Sequence, residues 1–393
     1  MAKKILIIYA KSTDEIFNRQ SALGSYIHCL ATILLKNGYE VSINDISFSR
    51  EFQSKSSSTF TASSSFIKKI IPGFIKEGLK DYQLFKRLKA LFDSIKAAGS
   101  VDCILEFYTY GSEIGSELSK RYNKPLFLIY DNPVLEEHAF FHDKQVFFKK
   151  RIEDREERTV QQAVRIVAYS NAVREYLNKK YSKQLPVVIH QNVDYTRFDF
   201  IEEKRTAEII NIGFIGSFLK WHRVDLLISV FTRLRKAGKP CQLYLVGAGM
   251  EFETIKGLAN KSEFASDIFL PGFSDGPSLV ELKKKIEIGI MPGSNWYGAP
   301  NKIFEYGAAR MAVVAPDTPT IRDLFNNKEE LLLFQQDNET SLYNTLLFYL
   351  ENNDIRQEHA LKLQNKIRNN YSENITFTFY NQLFSLLPGA KEA

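Results

Sequence analysis

The chain has 393 residues, too many for one hydrophobic core, so its length favours two domains of about 200 residues each. Hydrophobic residues make up 44% and charged residues 25%, as in soluble globular proteins, and no apolar run reaches the roughly 18 residues that span a membrane. The net charge of +6 is mild; it suits anionic ligands or surfaces, and we expect no nucleic-acid partner.

The three cysteines, Cys29, Cys103 and Cys241, lie far apart in apolar contexts. Their odd number and their spacing fit neither a disulfide framework nor a metal site, so we expect buried thiols in a reducing cytoplasm. The chain starts with Met-Ala-Lys-Lys and a short apolar run that no small-residue cleavage site follows. This start is typical of a first strand rather than of a signal peptide, and we expect a cytoplasmic protein.

Strands and helices alternate through the first half of the chain. Residues 4–10 predict the opening strand, residues 24–37 a helix headed by Gly24, and residues 38–43 a second strand, which together make a βαβ unit. A glycine at the helix start would let a phosphate or a sugar approach the backbone, although a packing glycine is commoner. The segment 147–162 is charged on both sides and is expected to lie solvated outside the sheet. Further strands are predicted at residues 102–107, 125–130, 165–169 and 185–190.

A basic and apolar stretch follows a Ser-rich segment at residues 54–65. Residues 66–96 carry eight Lys or Arg side chains against three acids. The simpler interpretation of its helical pattern is a core face of the domain. The alternative is a helix that lies on an anionic membrane surface, with residues 66–74 as the piece that touches it. One helical face collects Leu84, Phe85, Leu88, Leu91, Phe92 and Ile95.

Asp131 directly follows the predicted strand 125–130. In open α/β sheets ligands bind beyond the carboxyl ends of the strands. A carboxylate at that position can contact a sugar hydroxyl or accept a proton. The alternative is an aspartate that caps the turn Asp131-Asn132-Pro133.

The second half repeats the alternation after a charged, aperiodic segment at residues 196–208, which we interpret as an interdomain linker. Glycines follow two of its strands, at Gly216 and Gly247. The whole pattern predicts two doubly wound, parallel-sheet, Rossmann-like α/β domains that face a cleft, where a ligand would bind. Strands are predicted at residues 209–215, 242–246, 268–270, 288–291 and 312–315.

Residues 290–315 read as a strand end, a loop, a short helix and a buried strand. Pro300 suits the start of a helix over residues 301–309, because it lacks an N–H group that would be unpaired there. The free N–H groups from Asn301 onward and the positive end of the helix dipole form an anion site, to which Lys302 adds a charge. Glu305, one turn further on the same face, suits the hydroxyls of a ribose. The alternative is an ordinary capped helix with a surface lysine and glutamate.

Seven segments spread over nearly the whole chain belong together. They are residues 125–137, Val-Ala-Tyr-Ser at 167–170, residues 191–198, residues 216–228, Val-Gly-Ala-Gly at 246–249, Pro-Gly-Phe at 271–273 and Pro-Asn-Lys-Ile-Phe-Glu-Tyr-Gly-Ala-Ala at 300–309. As a set, and in this order, they resemble glycosyltransferase family 4. The resemblance implies the GT-B fold, a nucleoside-diphosphate sugar as substrate, transfer with retention at the anomeric carbon, and no metal or other cofactor.

The resemblance also implies roles for single residues. Glu305 corresponds to the glutamate that binds the donor ribose, and Lys302 belongs beside the pyrophosphate. Asp131 lies where relatives place a residue near the transferred sugar, and we expect Asp131 and Lys302 to be the catalytic residues. The expected donor-binding residues are Gly24, Ser217, Lys220, His222, Arg223, Gly247, Tyr297, Asn301, Lys302 and Glu305.

Some positions depart from the family pattern. Tyr297 stands eight residues before Glu305, where the family has the first glutamate of a pair and one branch has an aromatic residue. Arg310 and Ala312 replace a usual glycine and proline. Asn192 replaces a usual glycine, a mild change because asparagine tolerates a positive φ.

The diphosphate-contacting loop departs as well. Ser217 and His222 stand where Arg and Lys are usual. The positive charge of this loop must therefore come from Lys220, His222 or Arg223.

These features predict an acceptor-side domain at residues 1–197, a donor-binding domain at 209–370, and a helix in 371–393 that packs back on the first domain. We expect a metal-independent, retaining transferase that moves a hexose-type sugar to a glycan or lipid-linked acceptor of the cell envelope. Contact of residues 66–96 with the inner face of an anionic membrane would fit such an acceptor. One alternative is a nucleotide-sugar-binding protein or subunit without turnover; another is a sugar-nucleotide epimerase of the same fold.

Overall fold

A computed structural model describes residues 3–10, 16, 21–49, 73–95, 97–142, 148–202 and 208–385. The chain divides into two compact units. Residues 1–194 together with 373–393 form the first unit, and residues 195–372 form the second. Each unit contains one mostly parallel sheet whose strands alternate with helices, so the predicted α/β fold class is confirmed.

The first unit has its strands in the order β3-β2-β1-β4-β5-β6-β7, all parallel except the β2–β3 pair. The strand order reverses between β1 and β4, and ligands bind at such switch points. The strands are β1 (Lys4–Tyr9), β2 (Glu40–Ile43), β3 (Ile46–Phe48), β4 (Cys103–Phe107), β5 (Leu126–Tyr130), β6 (Arg165–Ala168) and β7 (Val187–Ile189). The helices between them are α1 (Ala22–Lys36), α2 (Gly73–Ser94), α3 (Ile114–Tyr122), α4 (Val134–His142), α5 (Lys149–Gln162) and α6 (Asn171–Lys180).

The second unit has a fully parallel sheet in the order β10-β9-β8-β11-β12-β13. Its switch point lies between β8 and β11. The strands are β8 (Ile210–Ile215), β9 (Cys241–Val246), β10 (Ile268–Gly272), β11 (Ile288–Ile290), β12 (Ala312–Pro316) and β13 (Leu332–Phe334). The helices are α7 (Val224–Lys236), α8 (Phe252–Lys261), α9 (Gly276–Lys285), α10 (Asn301–Ala308), α11 (Pro319–Leu324), α12 (Glu339–Glu351) and α13 (Asn353–Asn370).

The predicted strands are all present, because parallel strands covered on both faces are continuous apolar runs. Every residue of β4, β5 and β12 is buried. The strands β3 and β13 were not predicted. Each has only three residues, too few for a periodic pattern to stand out.

Helix α5 corrects the prediction that segment 147–162 is solvated. One face of α5 is buried, including the side chain of Glu156. The Glu156 carboxylate accepts hydrogen bonds from the hydroxyl of Tyr130 at 3.0 Å and from that of Tyr181 at 2.8 Å, and it pairs with Lys180 Nζ at 2.6 Å. All three partners bind Oε1 of Glu156 and replace the water at this atom, whereas the buried Oε2 has no hydrogen-bond partner among the described residues.

The basic stretch forms α2, and its apolar stripe is a core face, as the simpler interpretation predicted. Phe85, Leu88 and Ile95 are buried, and Arg151 and Arg155 of α5 stack over the Phe85 ring at 4.4 Å. The piece expected to touch a membrane, residues 66–74, lies outside the residues whose side chains are described.

The last helix, α14 (Glu373–Ser385), belongs to the first unit. Its residue Phe384 is fully buried, with ring centroids 5.3 Å from Phe127 of β5 and 6.1 Å from Tyr39. Tyr380, one turn earlier, is also fully buried. Helix α14 thus covers part of the first sheet, although it is far from that sheet in sequence.

Replacing Phe384 by alanine should destabilise the first unit by about 3–5 kcal/mol, because it leaves a cavity under α14. Urea unfolding followed by circular dichroism measures this change. The matched control is Gln382→Ala, an exposed position of the same helix. Equal stability of the two variants would contradict the packing described for α14.

Candidate functional site

The helix α10 is fixed at the switch point of the second sheet by Tyr306. The Tyr306 hydroxyl accepts a hydrogen bond from the Ile215 N–H at 2.8 Å, at the end of β8. It lies 3.4 Å from the Ile290 carbonyl oxygen, at the end of β11. The first turn of α10 is therefore positioned at the carboxyl ends of the two central strands, where open sheets bind ligands.

The N-terminus of α10 has the features of an anion site. Pro300 precedes the helix, and no side chain of the described residues caps the first turn. The Asn301 and Ile303 N–H groups donate to the backbone carbonyl oxygens of Ala299 and Pro300 at 2.9 Å each, and the helix dipole favours negative charge at this end. Lys302 lies in this first turn.

Two glycines allow the backbone to come close to Lys302. Gly216 has φ of +151°, and a Cβ atom added there would lie 2.5 Å from Cε of Lys302. Gly247, with φ of +138°, packs so closely that an added Cβ would overlap the Gly216 carbonyl group. Larger residues at either position would displace the lysine or the loop. The role of Gly247 shown here is packing against Gly216.

Lys302 is held by His222. Lys302 Nζ donates to Nε2 of His222 at 3.0 Å, and Nδ1 of the same ring lies 2.5 Å from the Ser217 carbonyl oxygen. Because a carbonyl oxygen only accepts, Nδ1 carries the proton and Nε2 is the acceptor. Burial, with a smaller contribution from the charge of Lys302, lowers the pKa of His222 to about 3. His222 is therefore neutral near pH 7 and serves as a hydrogen-bond partner rather than a charge.

Burial also lowers the pKa of Lys302 to about 8, although the Glu305 carboxylate opposes this shift. The ammonium form still predominates at pH 7. An arriving diphosphate would favour that form further, since a nearby opposite charge raises the pKa of a lysine.

The other predicted residues of the loop differ in exposure. Ser217 and Lys220 are exposed. Arg223 adopts a left-handed conformation with φ of +50°, and its guanidinium pairs with Asp225 and Asp337. Of the three predicted sources of positive charge in the loop, Lys220 is thus the exposed one, His222 is neutral, and Arg223 is already paired.

Glu305 is mostly buried and meets two cations. Its Oε1 lies 3.2 Å from Arg197 Nη2, and its Oε2 lies 3.6 Å from Lys283 Nζ. Lys283 also donates to Asp199 at 2.7 Å. These contacts bind the segment 195–202 to the second unit, so the prediction that 196–208 is wholly a linker is wrong for its first residues.

Two further predicted donor residues lie near the start of α10. Tyr297 is buried, and its hydroxyl accepts from the Asn295 side-chain amide at 3.2 Å. The Asn301 N–H donates to the Ala299 carbonyl oxygen at 2.9 Å. Tyr297 is a buried aromatic residue, and it supplies no carboxylate at the position where the resemblance would place a first glutamate.

In the first unit, Asp131 follows β5 and is part of a network of hydrogen-bonded side chains. Asn192 donates from its amide to the Asp131 carboxylate at 3.0 Å. The Asn192 side-chain oxygen accepts from the hydroxyls of Tyr26 at 2.9 Å and Tyr380 at 3.1 Å. Burial raises the pKa of Asp131 to about 6, although the Asn192 hydrogen bond opposes this. Asp131 is thus held by a side-chain network, in addition to any capping role.

The loop before α1 places Gly24 inside the helix rather than at its head. Ser21 caps α1, and the Gly24 N–H donates to the Ser21 hydroxyl at 3.0 Å. Gly24 is buried. In this arrangement its N–H group is already bonded.

Several residues of these two clusters were not found from the sequence. Asn192 was explained by tolerance of positive φ, but it is absent from the described residues with positive φ, and its side chain is what matters. Arg310, by contrast, does adopt φ of +52°, which explains why a glycine suits that position. No local sequence pattern indicated a site role for four of them, because their contacts join distant segments. These residues are Tyr26, Tyr380, Arg197 and Lys283.

Residues 196–373 match the family model described as Glycosyl transferases group 1. No curated protein sequence matches the chain. Among solved structures, sucrose-phosphate synthase from Thermosynechococcus elongatus is similar with a TM-score of 0.74 and 14% identity, over 99% of this chain and 100% of that one. Anabaena HepE in complex with UDP is similar with a TM-score of 0.68 and 13% identity, over 98% of this chain and 100% of that one.

A glycosyltransferase from Rickettsia africae also matches, with a TM-score of 0.66 and 14% identity over 99% of this chain and 100% of that one. At such low identity these likenesses show the fold alone, and the fold is GT-B. None of the helices in the part of the chain that the structure describes is long and apolar enough to cross a bilayer. Within the same part no group of His, Cys, Asp or Glu side chains is arranged to hold a metal ion, and the absence of a metal requirement stays a prediction.

Replacing Asp131 by asparagine should make the protein more stable at pH 8 by about 1–3 kcal/mol, from the free energy that accompanies its pKa shift. The pKa is about 6 in the folded chain against 3.8 for a free side chain, so the unfolded chain ionises first as the pH rises. The free energy of unfolding therefore falls between pH 4 and pH 6. Above pH 6 it is lowered by the full free energy of ionising the buried Asp131 carboxyl group. The gain in the variant should therefore shrink toward zero near pH 4.

Urea unfolding at several pH values from 4 to 8 measures this gain. The control is Asp45→Asn, an exposed position of the same unit, whose replacement removes no buried carboxylate. A gain for Asp131→Asn that is the same at every pH would show that Asp131 is not buried as described.

Proposed function

We propose that the protein is a retaining, metal-independent glycosyltransferase that uses a nucleoside-diphosphate sugar. The observation that carries this proposal is the placement of the Lys302 ammonium at the uncapped N-terminus of α10, at the switch point between β8 and β11. A cation combined with the positive end of a helix dipole is suited to a diphosphate. A carboxylate one turn further on, at Glu305, is suited to ribose hydroxyls.

Two comparisons support this assignment. The family match at residues 196–373 spans almost all of the second unit, which carries this site. The similar structures of Anabaena HepE contain UDP, UDP with glucose, or UDP-glucose. We therefore propose a nucleoside diphosphate bound at α10 and a hexose as the transferred group.

Catalysis would come mainly from electrostatic stabilisation of the leaving diphosphate. Lys302 supplies a charge that is already positioned by His222, and the N–H groups of α10 supply fixed dipoles. Ser217 and Lys220, both exposed, complete the diphosphate contacts. No protein nucleophile is needed in this proposal, because the acceptor attacks on the face from which the diphosphate leaves.

We assign the acceptor side to the first unit, with Asp131 orienting the sugar or the acceptor. The acceptor proposed is a glycan or lipid-linked molecule of the cell envelope. Helix α2 supports contact with an anionic surface, since it exposes Leu79 and Tyr82. Its other exposed side chains include the cations Lys80, Lys86, Arg87 and Lys89.

A second candidate is a nucleotide-sugar-binding protein without turnover. The neutral His222 and the aromatic Tyr297 favour it, because neither supplies the charge that the family has at these positions. Such a protein would bind the donor but would release no diphosphate with any acceptor extract. An epimerase of this fold would instead interconvert the donor sugar with no acceptor added.

Replacing Lys302 by methionine should lower kcat/KM for sugar transfer by about 10²–10³-fold, as expected for loss of a group that stabilises leaving-group charge. The protein should remain folded, because a methionine stem fits beside Gly216 and no longer buries an ammonium group. Release of the nucleoside diphosphate from UDP-glucose and from other nucleotide sugars, with an envelope extract as acceptor, measures the rate. The control is Lys284→Met, an exposed lysine of α9 that pairs with Glu281.

The donor is first identified by thermal shift with a panel of nucleotide sugars, since a ligand of the native state raises the Tm. A wild-type protein that binds a donor but shows no turnover would favour the binding-protein candidate. An unchanged kcat/KM for sugar transfer by Lys302→Met would show that the site at α10 takes no part in the reaction.

A further inference from the structure

A buried lysine outside the proposed diphosphate site contacts the residue assigned to the ribose. Lys283 lies at the end of α9 and is 1% exposed. Its Nζ donates to Asp199 Oδ2 at 2.7 Å and lies 3.6 Å from Glu305 Oε2. The neighbours Lys284 and Lys285 are exposed, so one lysine of a run of three is turned inward.

Burying an ammonium group costs several kcal/mol unless its partners compensate. A leucine or methionine would fill the same volume without that cost, so simple packing does not explain Lys283. Its two carboxylate neighbours come from different segments, with Asp199 on the first segment of the unit and Glu305 on α10. Lys283 therefore joins the Glu305 carboxylate to Asp199, on a segment that α10 also contacts through Arg197 and through the Ile201 N–H bond to the Ala308 carbonyl oxygen.

The second cation on Glu305 has a different character. Arg197 contacts the other oxygen, Oε1, at 3.2 Å, and its side chain is 41% exposed against 2% for Lys283. An exposed ion pair of this kind contributes about 0–1 kcal/mol. The Arg197 contact is therefore easily exchanged for another partner, whereas the Lys283 contact is sheltered from water.

We propose that Lys283 and Arg197 have opposite effects on nucleotide binding through Glu305. Lys283 is a positioning residue that orients the carboxylate toward the ribose hydroxyls. Arg197 pairs with Oε1 of Glu305, and the ribose hydroxyls displace it on binding. The inference rests on the proposed function, because it assumes that Glu305 binds a ribose.

The test compares ribose nucleotides with 2′-deoxyribose nucleotides. UDP, GDP and ADP are titrated by calorimetry into the full chain, and the one that binds tightest is compared with its 2′-deoxy form. In the wild type the deoxy form should bind about tenfold more weakly, as for loss of one hydrogen bond to a charged group. The variant Lys283→Met should reduce this ratio to near one, because the carboxylate is no longer oriented.

The variant Arg197→Gln should instead bind the ribose diphosphate about two- to fivefold tighter, with the ratio between ribose and deoxyribose forms kept. Lys283→Arg retains a cation and should keep most of the ratio. Lys284→Met is the matched control and should equal the wild type. A purely structural role of Lys283 would weaken both nucleotides alike and would leave the ratio unchanged.

If Lys283→Met does not fold, Asp199→Asn provides the second test. It leaves the lysine in place but removes the negative charge of its partner at 2.7 Å, and it should lower the same ratio to a smaller extent. A wild type that binds the diphosphate with unchanged ratios in these variants overturns the inference and leaves the proposed function standing. A wild type that binds none of the three diphosphates overturns both.

Discussion

The hydrogen bond from Lys302 Nζ to Nε2 of His222 determines the character of the second unit's site, because it fixes the position of the cation. The Ser217 carbonyl fixes the tautomer of His222, and burial keeps the ring neutral, so the ring does not repel Lys302. The arrangement requires Gly216 to lack a Cβ atom. Tyr306 then ties the whole helix to the ends of the central strands.

Each candidate cluster contains an ionisable group that is buried away from water. In both cases burial shifts the pKa in the direction that favours the neutral form. Burial raises the pKa of Asp131 to about 6 and lowers that of Lys302 to about 8. Folding is opposed by each shift, since water would stabilise the charged form better. A ligand that supplies the missing partner recovers this free energy on binding, and fixed charges act more strongly on it where water is partly excluded. Perturbed pKa values cluster at functional sites, which makes these two groups candidates for ligand contacts.

The sequence was sufficient for elements whose signal is local. The buried strands were predicted because β4, β5 and β12 are continuous apolar runs, and α10 because Pro300 marks its start. The prediction that α5 is solvated was wrong, because a charged sequence hides which charge is compensated inside. Tyr380 illustrates the general limit: its partner Asn192 is 188 positions away, and no local pattern records such a pairing.

The lysine run of α9 shows the same limit at the site itself. The charged pattern of residues 196–208 predicts a linker, yet Asp199 of this segment forms an ion pair with the buried Lys283 beside Glu305. The sequence shows how many charged side chains a segment carries. Function depends on which of these side chains is buried and on which partner compensates its charge. In this unit the replacement is a carboxylate from the segment that opens it, so that segment belongs to the nucleotide-binding machinery we propose.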